Sequence, residues 1–214
     1  RILRTQGGFP VLDIAVSEVR ANVPVPAEVP AEIAAAKGSA AGVVATPLAD
    51  GVYYLTGGTH HSVAVEQDKG IVLVEAPLNE ERSLALIAKL KELFPGKPVT
   101  QLVNTHAHFD HLGGVRTFVA EGAAIVTHKA NEAYYQRIWA APHGISPDRL
   151  SASGRPARFA TFTDKIVLAD AKRPVEVHAI VGNGHDDAFA LVFLPAANRK
   201  STRLNSSHTD ISRM

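Results

Sequence analysis

The chain has 214 residues, a formal net charge of +1 and 46% hydrophobic residues, and it contains no cysteine. That composition suits one globular core with a small appendage. It excludes disulfides and thiolate metal ligands, and it offers no basic stripe for nucleic acid or anionic membranes. No apolar run is long enough to span a bilayer, and no signal-peptide h-region can be read in the sequence. The lack of cysteine leaves the compartment open, because such a chain works in either redox environment. The only methionine is Met214 and the first residue is Arg1, so the N-terminus is read as processed or lost.

Residues 1–20 include one alternating apolar patch, FPVLDIAVSEV. Residues 21–47 are dominated by proline and alanine with few large apolar anchors. Together, residues 1–47 read as a leader or linker, partly polyproline-like. Within it, AEIAAAK could form a short helix, marginal by itself.

A denser pattern starts near Leu48. GVYYLTG, HSVAVEQ and GIVLVEAP read as three strands with tight turns. In LNEERSLALIAKLKELFPG, the residues Leu84, Leu86, Ile87, Leu90 and Leu93 form a stripe at helical spacing. Asn79 is the expected N-cap and Pro95-Gly96 the stop. KPVTQLVNT is a further strand, HLGGVRTFVAEG a helix, AAIVTH a strand and KANEAYYQRIWAA a helix. PHGISPDRLSASGRPARFA, residues 142–160, reads as a loop. TDKIVLAD, RPVEVHAIVG and AFALVFLP read as strands. This order implies an α/β domain of layered sheet and helices.

Where the fourth of these strands meets the following helix, the chain reads NTHAHFDHLGG. His106, His108, Asp110 and His111 fall within six positions, a donor set suited to a divalent cation. On an extended segment His106, His108 and Asp110 share a face, and the two histidines can clamp one ion. Asp110 and His111 can serve a second ion beside it. The glycines after Leu112 would let the loop turn tightly. A catalytic zinc needs about three protein ligands and an open position for water. The third is expected from VGNGHDDA, where His185 follows an Asn-Gly turn at a strand end.

His60 and His61 in GGTHHS are read as turn or strand-edge histidines that could line the rim. His128 and His178 are read as structural or supporting residues, and His143 carries no signal. Asp186 and Asp187 could brace a ligand imidazole. Tyr134, Tyr135 and Trp139 most simply pack their helix.

The HxHxDH motif, His106 to His111, resembles the signature of the metallo-β-lactamase superfamily. His185 matches that family's third histidine in a glycine-histidine turn. The resemblance covers roughly residues 48–197. It is closer still to MBL-fold metallo-hydrolases with a Gly-Asn-x-His turn followed by a strand ending in Leu-Pro. The family turn GHTPGS is GHDDAF here, and Glu75 stands where many members have Asp. The resemblance implies an αββα sandwich, here its first half plus part of the second sheet. The family's metal-bridging Asp and final His are not found in AANRKSTRLNSSHTDISRM, and their roles are not carried onto Asp210 or His208.

From Asn198 on, polar residues dominate without useful periodicity. RKSTRLNSSH resembles a translated sequencing-library adapter, so residues 198–214 are read as a non-native tail and the domain over 48–197 as truncated.

The function expected is a metal-dependent hydrolase acting on a small-molecule ester, lactone, amide or related bond. Two zinc ions are expected, with iron also compatible. Asp110 would both ligate and orient the attacking hydroxide. Two other readings stand beside it. One is a catalytically inactive fragment of such an enzyme. The other is an amidohydrolase, where THAHFD would be an H-x-H on the first strand of a TIM barrel.

Overall fold

The computed structural model describes residues 1–24, 29–34, 42–144, 146–197, 199–205 and 208–213. The chain divides into two compact units, Arg1–Ser39 and Ala40–Met214.

In the first unit, β1 (Ile2–Gln6) and β2 (Phe9–Ile14) form an antiparallel hairpin. Every residue of both strands is exposed, so the alternating patch makes a ribbon without a core. The short helix α1 (Ala31–Ala34) begins where AEIAAAK predicts it, and the rest of that stretch lies outside the described residues.

The second unit opens with a seven-stranded sheet of sequential order: β3 (Val44–Ala49), β4 (Val52–Thr56), β5 (Ser62–Gln67), β6 (Gly70–Val74), β7 (Val99–Val103), β8 (Ala124–His128) and β9 (Arg158–Phe162). Its first four strands pair antiparallel and its last four parallel. Strand β3 begins inside the Pro/Ala-rich stretch, four residues ahead of Leu48. A five-stranded antiparallel sheet follows: β10 (Lys165–Leu168), β11 (Val175–Ala179), β12 (Ala190–Leu194), β13 (Arg199–Asn205) and β14 (His208–Arg213). The polar segment after Asn198 thus runs as two paired strands beside β12.

Side chains of the large sheet alternate between two cores. Ala64, Ile71, Leu73, Leu102 and Ile125 point into one, against Leu86, Leu90 and Phe118 of the helices. Val63, Val65, Val72, Val74, Val103 and Val126 point into the other, against Val175, Val177, Ala190 and Val192 of the second sheet. Both faces of β5 to β8 are covered, which is why these strands read as near-continuous apolar runs.

The helices are α2 (Glu80–Leu93), α3 (Phe109–Leu112), α4 (Val115–Glu121), α5 (Lys129–Ala140) and α6 (Arg149–Ser153). The Asn79 side chain caps α2 by accepting from Arg82 N–H, as expected. HLGGVRTFVAEG is two helices rather than one, broken at Gly113-Gly114. The stretch read as a loop, 142–160, holds α6 and the start of β9. Asp148 caps α6 by accepting from Ser151 N–H. Strand β9 was missed because RPARFATF has small and charged residues where a buried strand would have Val or Ile. Two packed sheets, neither closed on itself, rule out the TIM-barrel reading of the histidine motif.

Candidate metal centre

The site lies at the carboxyl ends of parallel strands β6 and β7, where open α/β sheets commonly bind ligands. Immediately after β7 the chain runs Asn104-Thr105-His106 in extended form. Ala190 N–H at the start of β12 donates to Thr105 O at 2.9 Å. That bond joins the second sheet to the motif and fixes where the β11–β12 loop, and with it His185, meets His106.

Asn183 builds that loop. Its Oδ1 accepts from His185 N–H at 3.0 Å and Asp186 N–H at 3.1 Å, while its Nδ2 donates to the Ile180 and Asp186 carbonyls. The Gly-Asn-x-His pattern is therefore an Asx-type turn that presents the histidine. The Asp186 carboxylate accepts from Ala188 N–H at 2.7 Å, closing the turn on its far side.

His106, His108 and His185, expected together from the sequence, lie with their candidate ligand nitrogens within 4.8 Å of one another. His106 Nε2 stands 3.1 Å from His185 Nε2. Two nitrogens about 2.0–2.1 Å from one tetrahedral ion stand about 3.3 Å apart, so the donor set fits a single zinc-like ion. His106 is fully buried and its Nδ1 lies 2.9 Å from Thr105 Oγ1. Burial pushes its pKa down to about 3, against the pull of Glu75 and helped by the neighbouring imidazoles. His106 is therefore neutral at neutral pH, the form in which an imidazole can take a metal. His108 is half-buried and His185 exposed, so the triad opens from the core toward solvent.

A second group, His60, Asp110 and His111, lies beside the first, and the His106 and His111 ring centroids are 4.2 Å apart. Asp110 and His111 were expected here. His60, read from sequence as a turn or strand-edge histidine that could line the rim, joins them through the β4–β5 loop, with Nε2 3.0 Å from Asp110 Oδ2. Burial works against the Asp110 charge, but the His111 and His60 rings outweigh it and hold the carboxyl below its usual range.

Beneath this group sits Glu75, one residue past β6, at 1% exposure. Its backbone is left-handed (φ 67°), unusual for a non-glycine residue. One carboxylate oxygen accepts from Thr105 N–H at 2.7 Å and the other from His111 Nδ1 at 2.6 Å. Burial would raise its pKa, yet the His111 bond and nearby charge hold it low. A proton on His111 Nδ1, facing Glu75, would leave the Nε2 lone pair on the Asp110 side. The departure noted in the sequence, Glu for Asp, is thus a buried hydrogen-bond partner of His111.

His128 and His178 have partners of their own. His128 caps α5, accepting from Ala130 N–H, and its Nε2 lies 3.2 Å from Thr163 O. His178 pairs with Glu176 on β11. Tyr135 is fully buried, and its hydroxyl donates to Asn104 Oδ1. Trp139 stacks on Phe159.

A family model described as "Metallo-beta-lactamase superfamily" matches residues 55–189. The chain belongs to the metallo-β-lactamase superfamily. Among solved structures, a metallo-β-lactamase from Pontibacter korlensis is 22% identical with a TM-score of 0.54, covering 72% of this chain and 67% of that one. A metallo-β-lactamase from Cronobacter sakazakii is 20% identical with a TM-score of 0.54, covering 75% and 61%. At that identity they show the shared fold. Two curated relatives match parts of the chain. The 2,4-dinitroanisole O-demethylase subunit alpha of a Nocardioides species is 29% identical over 83 residues, which are 39% of this chain and 25% of that protein. A linear primary-alkylsulfatase of a Pseudomonas species is 25% identical over 126 residues, 58% and 18%. The chain spans a quarter or less of the length of these curated relatives.

Proposed function

We propose that this chain carries the metal centre of a hydrolase that attacks a small-molecule ester, lactone, amide or related bond with a metal-activated water. The supporting observation is the convergence of His106, His108 and His185, from two sheets and 79 residues of separation, on one cation-sized space.

A zinc ion held there would lower the pKa of bound water to about 7 and polarise the substrate's oxygen. The chain's own groups do the rest. His106, His108 and His185 hold the first cation, and Asp110 and His111 serve the second. Asp110, half-buried and ionised, is the carboxylate placed to accept a proton from an attacking water and orient it. Glu75 keeps the His111 tautomer fixed. Imidazole and carboxylate donors suit iron as well as zinc. The relatives are named for a sulfatase and an O-demethylase, and the structural neighbours for lactamases, so the family leaves the bond to be found by assay.

Metal per chain is the test, on purified protein and on the His106→Ala, His108→Ala double variant. One or more equivalents of zinc or iron, lost in the double variant together with turnover of a screened ester, lactone or sulfate ester, is the expected result. Near-zero metal in the unaltered chain would favour the competing reading, an inactive fragment.

A further inference from the structure

We propose that His60 is the third ligand of a second divalent-cation site, with Asp110 and His111, so that the β4–β5 hairpin completes from this chain's own residues the two-ion centre on which the reading above rests. The site takes a cation of borderline softness, such as zinc, cobalt(II) or iron(II).

Asp110 and His111 supply only two donors, and a protein-held ion of this kind needs about three. The geometry points to where the third comes from. His60 Nε2 is 3.0 Å from Asp110 Oδ2, and that oxygen is 3.7 Å from His111 Nε2. All three ligand atoms lie within 4.8 Å of one another. Ligands of one ion at about 2.0–2.2 Å stand about 3.3 Å apart when tetrahedral, so sub-ångström shifts gather all three. The tautomers agree as well. Glu75 accepts from His111 Nδ1 at 2.6 Å, and His60 Nδ1 lies 2.9 Å from Thr59 Oγ1. Both partners can accept from Nδ1, and donation there would direct both Nε2 lone pairs toward the Asp110 carboxylate, as outer partners of ligand histidines usually do.

The hairpin tip is also held in place. The side chain of Arg82, a residue at 2% exposure, donates from Nη1 to Gly42 O at 2.8 Å and to Gly57 O at 3.4 Å. Gly57 has φ 119°, and a Cβ there would fall 1.9 Å from Gly42 O. The next histidine, His61, turns inward, with Nδ1 2.8 Å from Thr56 Oγ1 and its ring 5.2 Å from that of Tyr54. Successive side chains on an extended segment point to opposite sides, so burying His61 turns His60 to the site. Its side chain is only 15% exposed.

The simpler role for His60 is a hydrogen bond that steers Asp110, and the test separates the two. The full-length chain is loaded with cobalt(II). Bound metal is counted, and the hyperfine-shifted, exchangeable ring N–H signals of coordinated histidines are followed by proton NMR. The variants are His60→Gln, which keeps an amide donor for Asp110, and His61→Gln as a hairpin control. The unaltered chain is expected to bind two cobalt ions. His60→Gln should lose one N–H signal and weaken the second ion by more than the about 10–100-fold that loss of an outer partner costs. His61→Gln should keep every signal. If His60→Gln retains both ions within tenfold and loses no signal, His60 is a steering residue and the proposal fails. An unaltered chain that binds a single ion at His106, His108 and His185 overturns it too, while leaving the proposed function standing. A chain that binds no cobalt at all sinks both.

Discussion

At Glu75 a single buried carboxylate joins backbone strain to the candidate metal centre. Its left-handed backbone, its 1% exposure and its two hydrogen bonds place a negative charge under His111. Glu75→Gln keeps the size of the side chain but can accept at only one atom. Either Thr105 N–H or His111 Nδ1–H then faces an amide NH2. The expected outcome is a second-ion affinity lower by about 10–100-fold, with the first ion retained, measured by competition with a chelator. Equal affinity in the variant would mean that Glu75 serves the fold alone. The sequence made the first-motif ligands legible, because four donors in six positions need no tertiary information to be noticed. His185 was legible through its turn. His60 and Glu75 were not, because a histidine in a hairpin and a glutamate after an apolar run acquire a role only when β4, β6 and β7 are laid side by side.

Among the elements, the α3–α4 junction shows why two glycines follow the motif. Tight turning was the expected reason, yet Gly113 and Gly114 have ordinary negative φ values of −61° and −94°. Their role is close approach. A Cβ at Gly113 would fall 1.9 Å from Leu78 O, and one at Gly114 would fall 2.2 Å from Ser83 Oγ and 2.8 Å from Ala76 O. The clash at Gly113 is with backbone, which cannot swing aside. Gly113→Ala should therefore cost about 1–3 kcal/mol or more in urea unfolding, and should weaken metal binding at Asp110 and His111, which lie on α3. A variant of unchanged stability would show that the junction can move. Helix α6, absent from the sequence reading, is fastened by a different device: Arg116 of α4 donates bidentately to Asp148, its N-cap. The Arg116 bond holds the Asp148 carboxyl well below the usual range, although burial opposes the charge. A carboxyl whose folded pKa is depressed adds stability above its unfolded pKa of about 4, and that stability is lost as pH falls below it. Asp148→Asn still caps the helix, so it isolates the charge. Its thermal midpoint should lie below that of the unaltered chain at pH 7, and the gap should narrow toward pH 3. A gap that stays constant with pH would exclude the ion pair as its cause.

Across the whole molecule, the centre depends on two sheets meeting over a valine-rich core while helices cover the far side of the larger one. The apolar runs of β5 to β8 were readable in the sequence because they are buried on both faces. The strand β9 and the start of β3 were not, since edge positions demand less apolar character. That division also says which part of the chain the site needs. Both hydrophobic cores and all the candidate ligands, from His60 to His185, fall within Ala40–Met214. The hairpin of β1 and β2 buries none of its residues, leaving Phe9 at 75% exposure and Ile2 at 56%. Exposed side chains contribute little of the transfer free energy that stabilises a fold. A chain starting at Ala40 should therefore unfold cooperatively within a few degrees of the full chain and bind the same number of metal ions. Calorimetry paired with metal analysis checks this. A large fall in the midpoint, or loss of an ion, would show that residues 1–39 support the domain.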